Sequence, residues 1–263
     1  MGYEFIKHQS ISSLSVVQIN RPPANALNTG LVAELHSLID QLAHDRRVRA
    51  VVFCGQGSFF AGGVDIKMMQ ERKGEDLPGF IEGFTVHLQR LYNKIEEMPK
   101  PVIAAINGHA AGGGCELALA CDFRFMAKGK ARIGLSEVKL GLLPGAGGLQ
   151  RMPRIIGKAK ALELTITGRL INAEEALEIG LVHKIFDEEK LLDGTIKYAT
   201  ELSKQATLAI GHIKNCIHKG FDTGLMAGLG NDIDAQDKLF YSHDGMEGIE
   251  AFVQKRPPVF EGR

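Results

Sequence analysis

A chain of 263 residues, 44% of them hydrophobic, has material for one large domain, with or without an appendage. Its 31 Lys and Arg balance its 31 Asp and Glu, a formal net charge of +0, which argues against a protein built mainly to grip nucleic acid. No apolar run is long enough to span a bilayer, and the N-terminus lacks the basic, apolar and small-residue regions of a secretion signal, so a cytoplasmic protein is expected.

In chain order, Leu14 to Ile19 and Val48 to Cys54 read as strands, and between them Leu31, Leu35, Leu38, Ile39 and Leu42 recur at helical spacing. Strand alternating with helix argues for an α/β core with parallel strands. RPPANALN (21–28) is irregular, with Asn28 placed to cap the helix that follows. SFFAGGVDIKMM (58–69) sets Gly62 and Gly63 just after a strand, with Asp65 opening a helix. The fingerprints of dinucleotide or P-loop binding are absent from this stretch. Residues 70–84, rich in Gly, Pro and charge, predict a mobile segment, with Met69, Phe80 and Phe84 as pocket or core residues, ahead of an amphipathic helix from His87 to Met98.

The stretch PVIAAINGHAAGGGCELALACD (101–122) organises the rest. Val102 to Ile106 reads as a buried strand, Gly112 to Gly114 as a loop, and the following small apolar residues as a buried helix with Glu116 in its first turn. Glycines without Cβ let backbone N–H groups approach a ligand closely, and a helix N-terminus adds unpaired N–H groups and partial positive charge. Two such loops in one α/β domain, at 62–63 and 112–114, could each supply one N–H to an oxyanion. The plainer reading is a tight turn with a Glu that suits the helix dipole.

Phe123, Phe125 and Ile133 look like strand positions around a turn at Gly129. Glu137, flanked by apolar residues, suits proton transfer if its pKa is raised; otherwise it is a surface acid paired with Lys139. Beyond residue 157 the pattern turns helical: Asn172 caps one helix, Leu181 to Phe186 forms a short strand, and the tail is a succession of helices broken near Ala206, Gly220 and His243. Cys54, Cys115, Cys121 and Cys216 form no CxxC pair and read as reduced thiols, so neither a disulfide frame nor a metal site is expected.

Five blocks in order, FFAGGVDIK, PVIAAING, GGGCELALACD with Glu137 about twenty residues on, GLLPGAGGLQR (141–151) and the closing AFVQKRPPVFEGR, resemble the crotonase superfamily, and most of all its enoyl-CoA hydratases. The likeness spans essentially the whole chain. It implies an α/β fold, a spiral of repeated ββα units with a helical C-terminal region that drives trimers, and a division into a core with the CoA thioester site (1–200) and a helical region (201–263). Val64 and Gly113 match the positions whose backbone N–H groups form the oxyanion hole. Glu116 and Glu137 match the hydratase acid pair. Ala26, Leu27, Val64, Asp65, Ile66, Lys67 and Gly113 match substrate and CoA contacts. Phe252 and Lys255 match C-terminal positions that reach CoA, in some members across a subunit boundary. The implied activity is that of a lyase of fatty acid β-oxidation, adding water to a 2-enoyl-CoA. The implied assembly is a homotrimer or a dimer of trimers (a homohexamer). No metal or other cofactor is implied, coenzyme A being part of the substrate, and no nucleic-acid or membrane partner. Two departures bear on specificity: Ser136 stands where many hydratases have Pro, and the segment between Lys67 and Lys100 is longer than in short-chain hydratases.

Four rival readings remain. An enoyl-CoA isomerase often keeps only one of the two acids, and a dehydratase of a branched or cyclic acyl-CoA is the same chemistry on another substrate. RNA binding would need a basic stripe, and residues 87–98 interleave Arg90 and Lys94 with Glu96 and Glu97. A thiol hydrolase would need Cys115 activated by a base, for which His109 is the nearby candidate.

Overall fold

The computed structural model describes residues 2–71 and 77–263. It opens with an antiparallel hairpin of β1 (Ile6–Ile11) and β2 (Leu14–Ile19), then α1 (Thr29–His44). Three units follow, each with two strands before its helix. They are β3 (Ala50–Gly55) and β4 (Phe59–Ala61) leading to α2 (Ile66–Glu71) and α3 (Leu77–Glu96), then β5 (Val102–Ile106) and β6 (His109–Ala111) leading to α4 (Gly113–Ala120), then β7 (Phe123–Ala127) and β8 (Ile133–Gly134) leading to a 3-10 helix (Glu137–Leu140) and α5 (Gly148–Ile156). The first strand of each unit joins a sheet of order β1-β2-β3-β5-β7-β9, and the second joins a smaller sheet of order β4-β6-β8. The chain therefore winds as a spiral of ββα turns, parallel at every step after the first hairpin.

The remainder is α6 (Lys158–Thr167), α7 (Ala173–Glu178), β9 (Lys184–Phe186), a second 3-10 helix (Glu188–Lys190), α8 (Leu191–Ser203), α9 (Thr207–Thr223), α10 (Leu225–Phe240) and α11 (His243–Gln254). Strands covered on both faces need apolar residues at every position rather than at alternate ones. β3 (AVVFCG) and β5 (VIAAI) are accordingly buried throughout, with α8 packed across β3, β5 and β7. α4 is buried on all sides, as a helix of only Gly, Cys, Leu, Ala and one Glu must be. Its close seat requires Gly114, where a Cβ would overlap the Ala61 carbonyl of β4.

Two polar devices pin loops that carry no regular structure. Buried Asn25 holds a positive φ of 51° and donates from Nδ2 to the Gln56 and Phe59 carbonyls, tying the 21–28 loop to the β3–β4 turn. Lys214 of α9 donates to Asp122 Oδ2 at 2.8 Å and to the Lys100 carbonyl, and the same Asp122 oxygen accepts from Val102 N–H. That ion pair fastens the α9–α10 hairpin to the start of β5. The hairpin and α11 leave large apolar side chains in solvent, Phe221, Leu225, Met226, Ile233 and Phe252 among them.

Most of the expected elements stand, with shifted ends. Asn28 caps α1, its Oδ1 accepting from Leu31 N–H, and Asn172 caps α7 in the same way. β9 is shorter than the expected 181–186 strand, and the break expected near Gly220 falls at Gly224, where φ is 88°. β7 and β8 flank Gly129 as expected but lie in different sheets. The helix expected from His87 begins at Leu77, so the second half of the stretch read as mobile is helical, and 72–76 lies outside the described residues. Phe84 is buried and Phe80 stacks on it. β1 was not expected, because its turn at Ser12 and Ser13 has none of the Asn-Gly chemistry that marks hairpins. No helix among the described residues is long and apolar enough to cross a membrane.

Candidate active site

The two glycine loops meet. β4 is followed by Gly62 and Gly63, with Gly63 at a φ of 95°, and β6 by Gly112, with a φ of 53°. A parallel bridge between Leu27 and Val64 holds the first loop, through Leu27 N–H to the Gly63 carbonyl and Asp65 N–H to the Leu27 carbonyl. The result sets two backbone amides side by side: a Cβ on Gly113 would stand 3.7 Å from the Val64 nitrogen, and one on Gly63 would stand 3.7 Å from the Gly113 nitrogen. Neither Val64 N–H nor Gly113 N–H finds an acceptor among the described residues, whereas Asp65 N–H and Gly112 N–H beside them donate to the Leu27 and Gly134 carbonyls. Such a pair of free donors is the geometry that holds a developing oxyanion.

Glu116 lies one turn into α4 and is 2% exposed. Its Oε1 accepts from Ala146 N–H at 2.8 Å and from Gly148 N–H at 2.9 Å. Gly148 opens α5, so the carboxylate sits at a helix N-terminus, where unpaired N–H groups favour negative charge. Burial is the larger influence and pushes the Glu116 carboxyl up to about 7. The Glu137 charge adds to the rise, while the two N–H donors and the Arg151 guanidinium oppose it. Tyr92 of α3 steadies the same turn, its OH donating to the Gly113 carbonyl at 2.8 Å.

Glu137 begins the 3-10 helix and points back at Gly112: a Cβ there would come within 2.8 Å of Glu137 Oε1. Glu137 Oε2 is buried with no partner among the described residues, and burial raises its pKa. Lys139 is not among the groups that act on the Glu137 carboxyl, so the alternative pairing with Lys139 is absent among the described residues. Two carboxyls thus flank the Gly112–Gly113 turn, both held toward the neutral form, one gripped by two amides and one with an oxygen, Oε2, that has no partner among the described residues.

The other candidates divide. Leu27 is buried, with Cδ1 at 3.0 Å from where a Gly113 Cβ would be. Asp65 is engaged elsewhere, paired with Arg21 at 2.6 Å and accepting from Lys67 N–H as α2 starts. Arg21 also donates to the Ala26 carbonyl, so Ala26 and Asp65 share one anchor. Ile66 and Lys67 are exposed beside the loop. Phe252, 85% exposed, and Lys255 sit at the end of α11, which packs on α10, and within one chain they are not brought to the Val64–Gly113 pair. Phe252 instead borders a depression with Ala206, Leu239 and Phe260. All four cysteines are free; burial drives the Cys115 thiol well above its ordinary pKa, which leaves it a poor nucleophile. No three His, Cys, Asp or Glu side chains among the described residues are grouped to hold a metal ion. A cavity of about 640 Å³ lies behind α5, between α4 and α9; it shares Arg151 with the site but is bordered by neither glutamate.

Sequence pattern alone left the donors to Glu116 unassigned. The PGAGG run was visible as a loop, but nothing in its spacing says that Ala146 and Gly148 face an acid about thirty residues earlier.

A pH-dependent stability follows. An unfolded Glu titrates near 4.5, and Glu116 in the folded chain near 7, so the folded state holds the extra proton between those values. That proton favours folding below the lower value, and the advantage is lost as pH rises through 7. Glu116→Gln keeps an acceptor for both N–H groups and carries no charge. It is expected to match the wild type in stability at about pH 4 and to exceed it by about 3 kcal/mol at about pH 8 in urea unfolding. Parallel stability curves for the two proteins would contradict this.

The family model described as enoyl-CoA hydratase/isomerase matches residues 9–263. A probable enoyl-CoA hydratase of Bacillus subtilis (strain 168) is 38% identical over 250 residues, covering 95% of each chain. A crotonyl-CoA hydratase of Syntrophomonas wolfei is 38% identical over 262 residues, covering 99% of each. The crystal structure of an enoyl-CoA hydratase from Geobacillus kaustophilus superposes with a TM-score of 0.95 at 34% identity, covering 100% of this chain and 98% of that one.

Proposed function

The chain belongs to the enoyl-CoA hydratase/isomerase family and is an enzyme of the hydratase type, and on that premise we propose that it adds water reversibly across the 2,3 double bond of a 2-enoyl-CoA to give a 3-hydroxyacyl-CoA. The observation that supports this most is the meeting of two acceptor-free amides, Val64 and Gly113, with two pKa-raised carboxyls at the adjoining turn.

The thioester oxygen accepts from the Val64 and Gly113 N–H groups. Water adds to the β-carbon, and negative charge moves to that oxygen as an enolate, which the two donors stabilise by about 3 kcal/mol each. Glu116, fixed by Ala146 and Gly148, holds the water and takes one of its protons. Glu137, whose Oε2 has no competing partner among the described residues, gives a proton to the α-carbon. One proton enters the pair and one leaves it, so the site returns to its starting charge once the proton is redistributed. Two interacting carboxyls titrate as a pair, and the rate is expected to fall on both sides of an optimum set by the pair rather than by either residue. No metal or further cofactor enters these steps.

Around the reacting centre, Ala26 and Asp65 to Lys67 form the rim along which the CoA lies, with Leu27 buried beneath it. Phe252 and Lys255 serve a neighbouring subunit's CoA in a homotrimer or dimer of trimers, consistent with the exposed apolar side chains of α9, α10 and α11. An isomerase needs one acid to shuttle a proton; the presence of both favours hydration. A panel of 2-enoyl-CoA thioesters of increasing chain length tests the reading, by the loss of absorbance of the conjugated thioester. If no member loses absorbance while a 3-enoyl-CoA gains it, the enzyme is an isomerase and this proposal is wrong.

A further inference from the structure

The loop that grips Glu116 is itself gripped, peptide by peptide. The 145–146 peptide donates its Ala146 N–H to Glu116, and its Gly145 carbonyl accepts from Gln89 Nε2 at 2.7 Å. The 147–148 peptide donates its Gly148 N–H to Glu116, and its Gly147 carbonyl accepts from Arg151 N–H in the first turn of α5. Between them lies the 146–147 peptide, whose Ala146 carbonyl accepts from Arg151 Nη1 at 3.3 Å. Rotation of that middle peptide would swing both donors away from the carboxylate. Gly147 is needed twice: its φ is 107°, and a Cβ there would overlap Arg151 Nη1.

Arg151 is 9% exposed and is held in turn by α3. Its Nη2 donates to Asn93 Oδ1 and to Glu96 Oε2, both at 2.7 Å. Gln89, Asn93 and Glu96 are spaced i, i+4 and i+7, one stripe along α3. A guanidinium offers several donors in one rigid plane, so it can join a carbonyl to two side chains with little freedom left over.

We propose that Arg151, with the Gln89–Asn93–Glu96 stripe of α3, is the positioning device for Glu116: it fixes the three loop peptides so that the Ala146 and Gly148 N–H groups aim the carboxylate. Its catalytic meaning rests on the hydration reading, while the contacts themselves do not. Glu116 shares its surroundings with Glu137 of the 3-10 helix, Tyr92 of α3, Cys115 of its own helix and Arg151 of α5. Removing Arg151 takes away the cation of that set and slackens two donors, and both changes favour the protonated acid.

The test compares wild type, Arg151→Met and Gln89→Leu by steady-state kinetics over pH and by carbon NMR of the Glu116 carboxyl, assigned with Glu116→Gln. Arg151→Met is expected to lower kcat by about ten- to a hundredfold with KM within about twofold, as loss of orientation does. It is also expected to move the Glu116 titration up by about one pH unit. Gln89→Leu, a change at an exposed neutral side chain, is expected to lower kcat about threefold at constant KM, since misaim alone costs rate without altering charge. An unmoved Glu116 titration in Arg151→Met overturns the proposal. So does a Gln89→Leu enzyme with unchanged kcat, which also decides the matter should Arg151→Met not fold. A wild-type protein that hydrates no enoyl thioester overturns the functional reading instead, and the Glu116 titration still judges this one.

Discussion

Glu116→Gln and Glu137→Gln are each expected to lower turnover of a 2-enoyl-CoA by about 10²–10⁴-fold while leaving CoA affinity nearly unchanged, as the loss of a general acid or base does. The sizes follow from what each group does and not from its place in the fold. A glutamine at 116 still accepts from Ala146 and Gly148 N–H, so the loop stays seated, but an amide cannot take a proton from water. At 137 the buried Oε2 has no partner among the described residues, so what the substitution chiefly removes is the capacity to give a proton to carbon. The measurement is kcat and KM for each variant, with dissociation of a saturated acyl-CoA as the binding control. Full activity of either variant on every substrate removes that residue from the mechanism. Weakened binding with unchanged kcat would make both acids contacts for the ligand and nothing more.

What the sequence made legible depended on how local the cause was. Asn28 and Asn172 cap their helices through N–H groups three residues away, and the cap and helix period sit in one short window. The run from Val102 to Ile106 needed no partner to be read as a buried strand. The three-residue strands β4 and β6 could not be seen, since three residues carry no period and their pairing comes from a segment about fifty residues distant. The glycine triplet was legible as a loop with a role, but the structure gives its members separate tasks. Gly112 supplies a positive φ and room for the Glu137 carboxyl, Gly113 the free amide, and Gly114 the close seat of α4 on β4. Glu137 was ambiguous between a proton donor and a partner of Lys139, because one residue of offset along a 3-10 helix decides which way a side chain faces. Arg151 stood in plain view inside GLLPGAGGLQR and drew no role of its own, since its two partners on α3, Asn93 and Glu96, lie more than fifty residues upstream. Phe252 and Lys255 show the reverse case: residue matching placed them at a ligand, and the single chain leaves them exposed at the end of α11.

Replacing the peptide at Val64 by an ester, with the side chain kept and the N–H exchanged for oxygen, is expected to lower kcat by about 10²–10³-fold, the size of losing one oxyanion donor. The substitution is informative because Val64 N–H serves no acceptor among the described residues. The folded chain gives up no hydrogen bond donated at that point, so its stability should hardly change. The Gly63 carbonyl does become a weaker acceptor for Leu27 N–H, which sets an upper limit on any structural effect. An ester at Arg49, whose N–H donates to the Ser13 carbonyl at 2.7 Å far from the site, is the control with the opposite pattern. There about 1 kcal/mol of stability should be lost and kcat should stay near its starting value. The two esters are chemically alike and differ only in what their missing hydrogen was for. If the Val64 ester costs stability and spares turnover, that amide belongs to the fold and the thioester oxygen is held by something else. If turnover falls at constant stability, a donor without an acceptor among the described residues has its acceptor in the substrate.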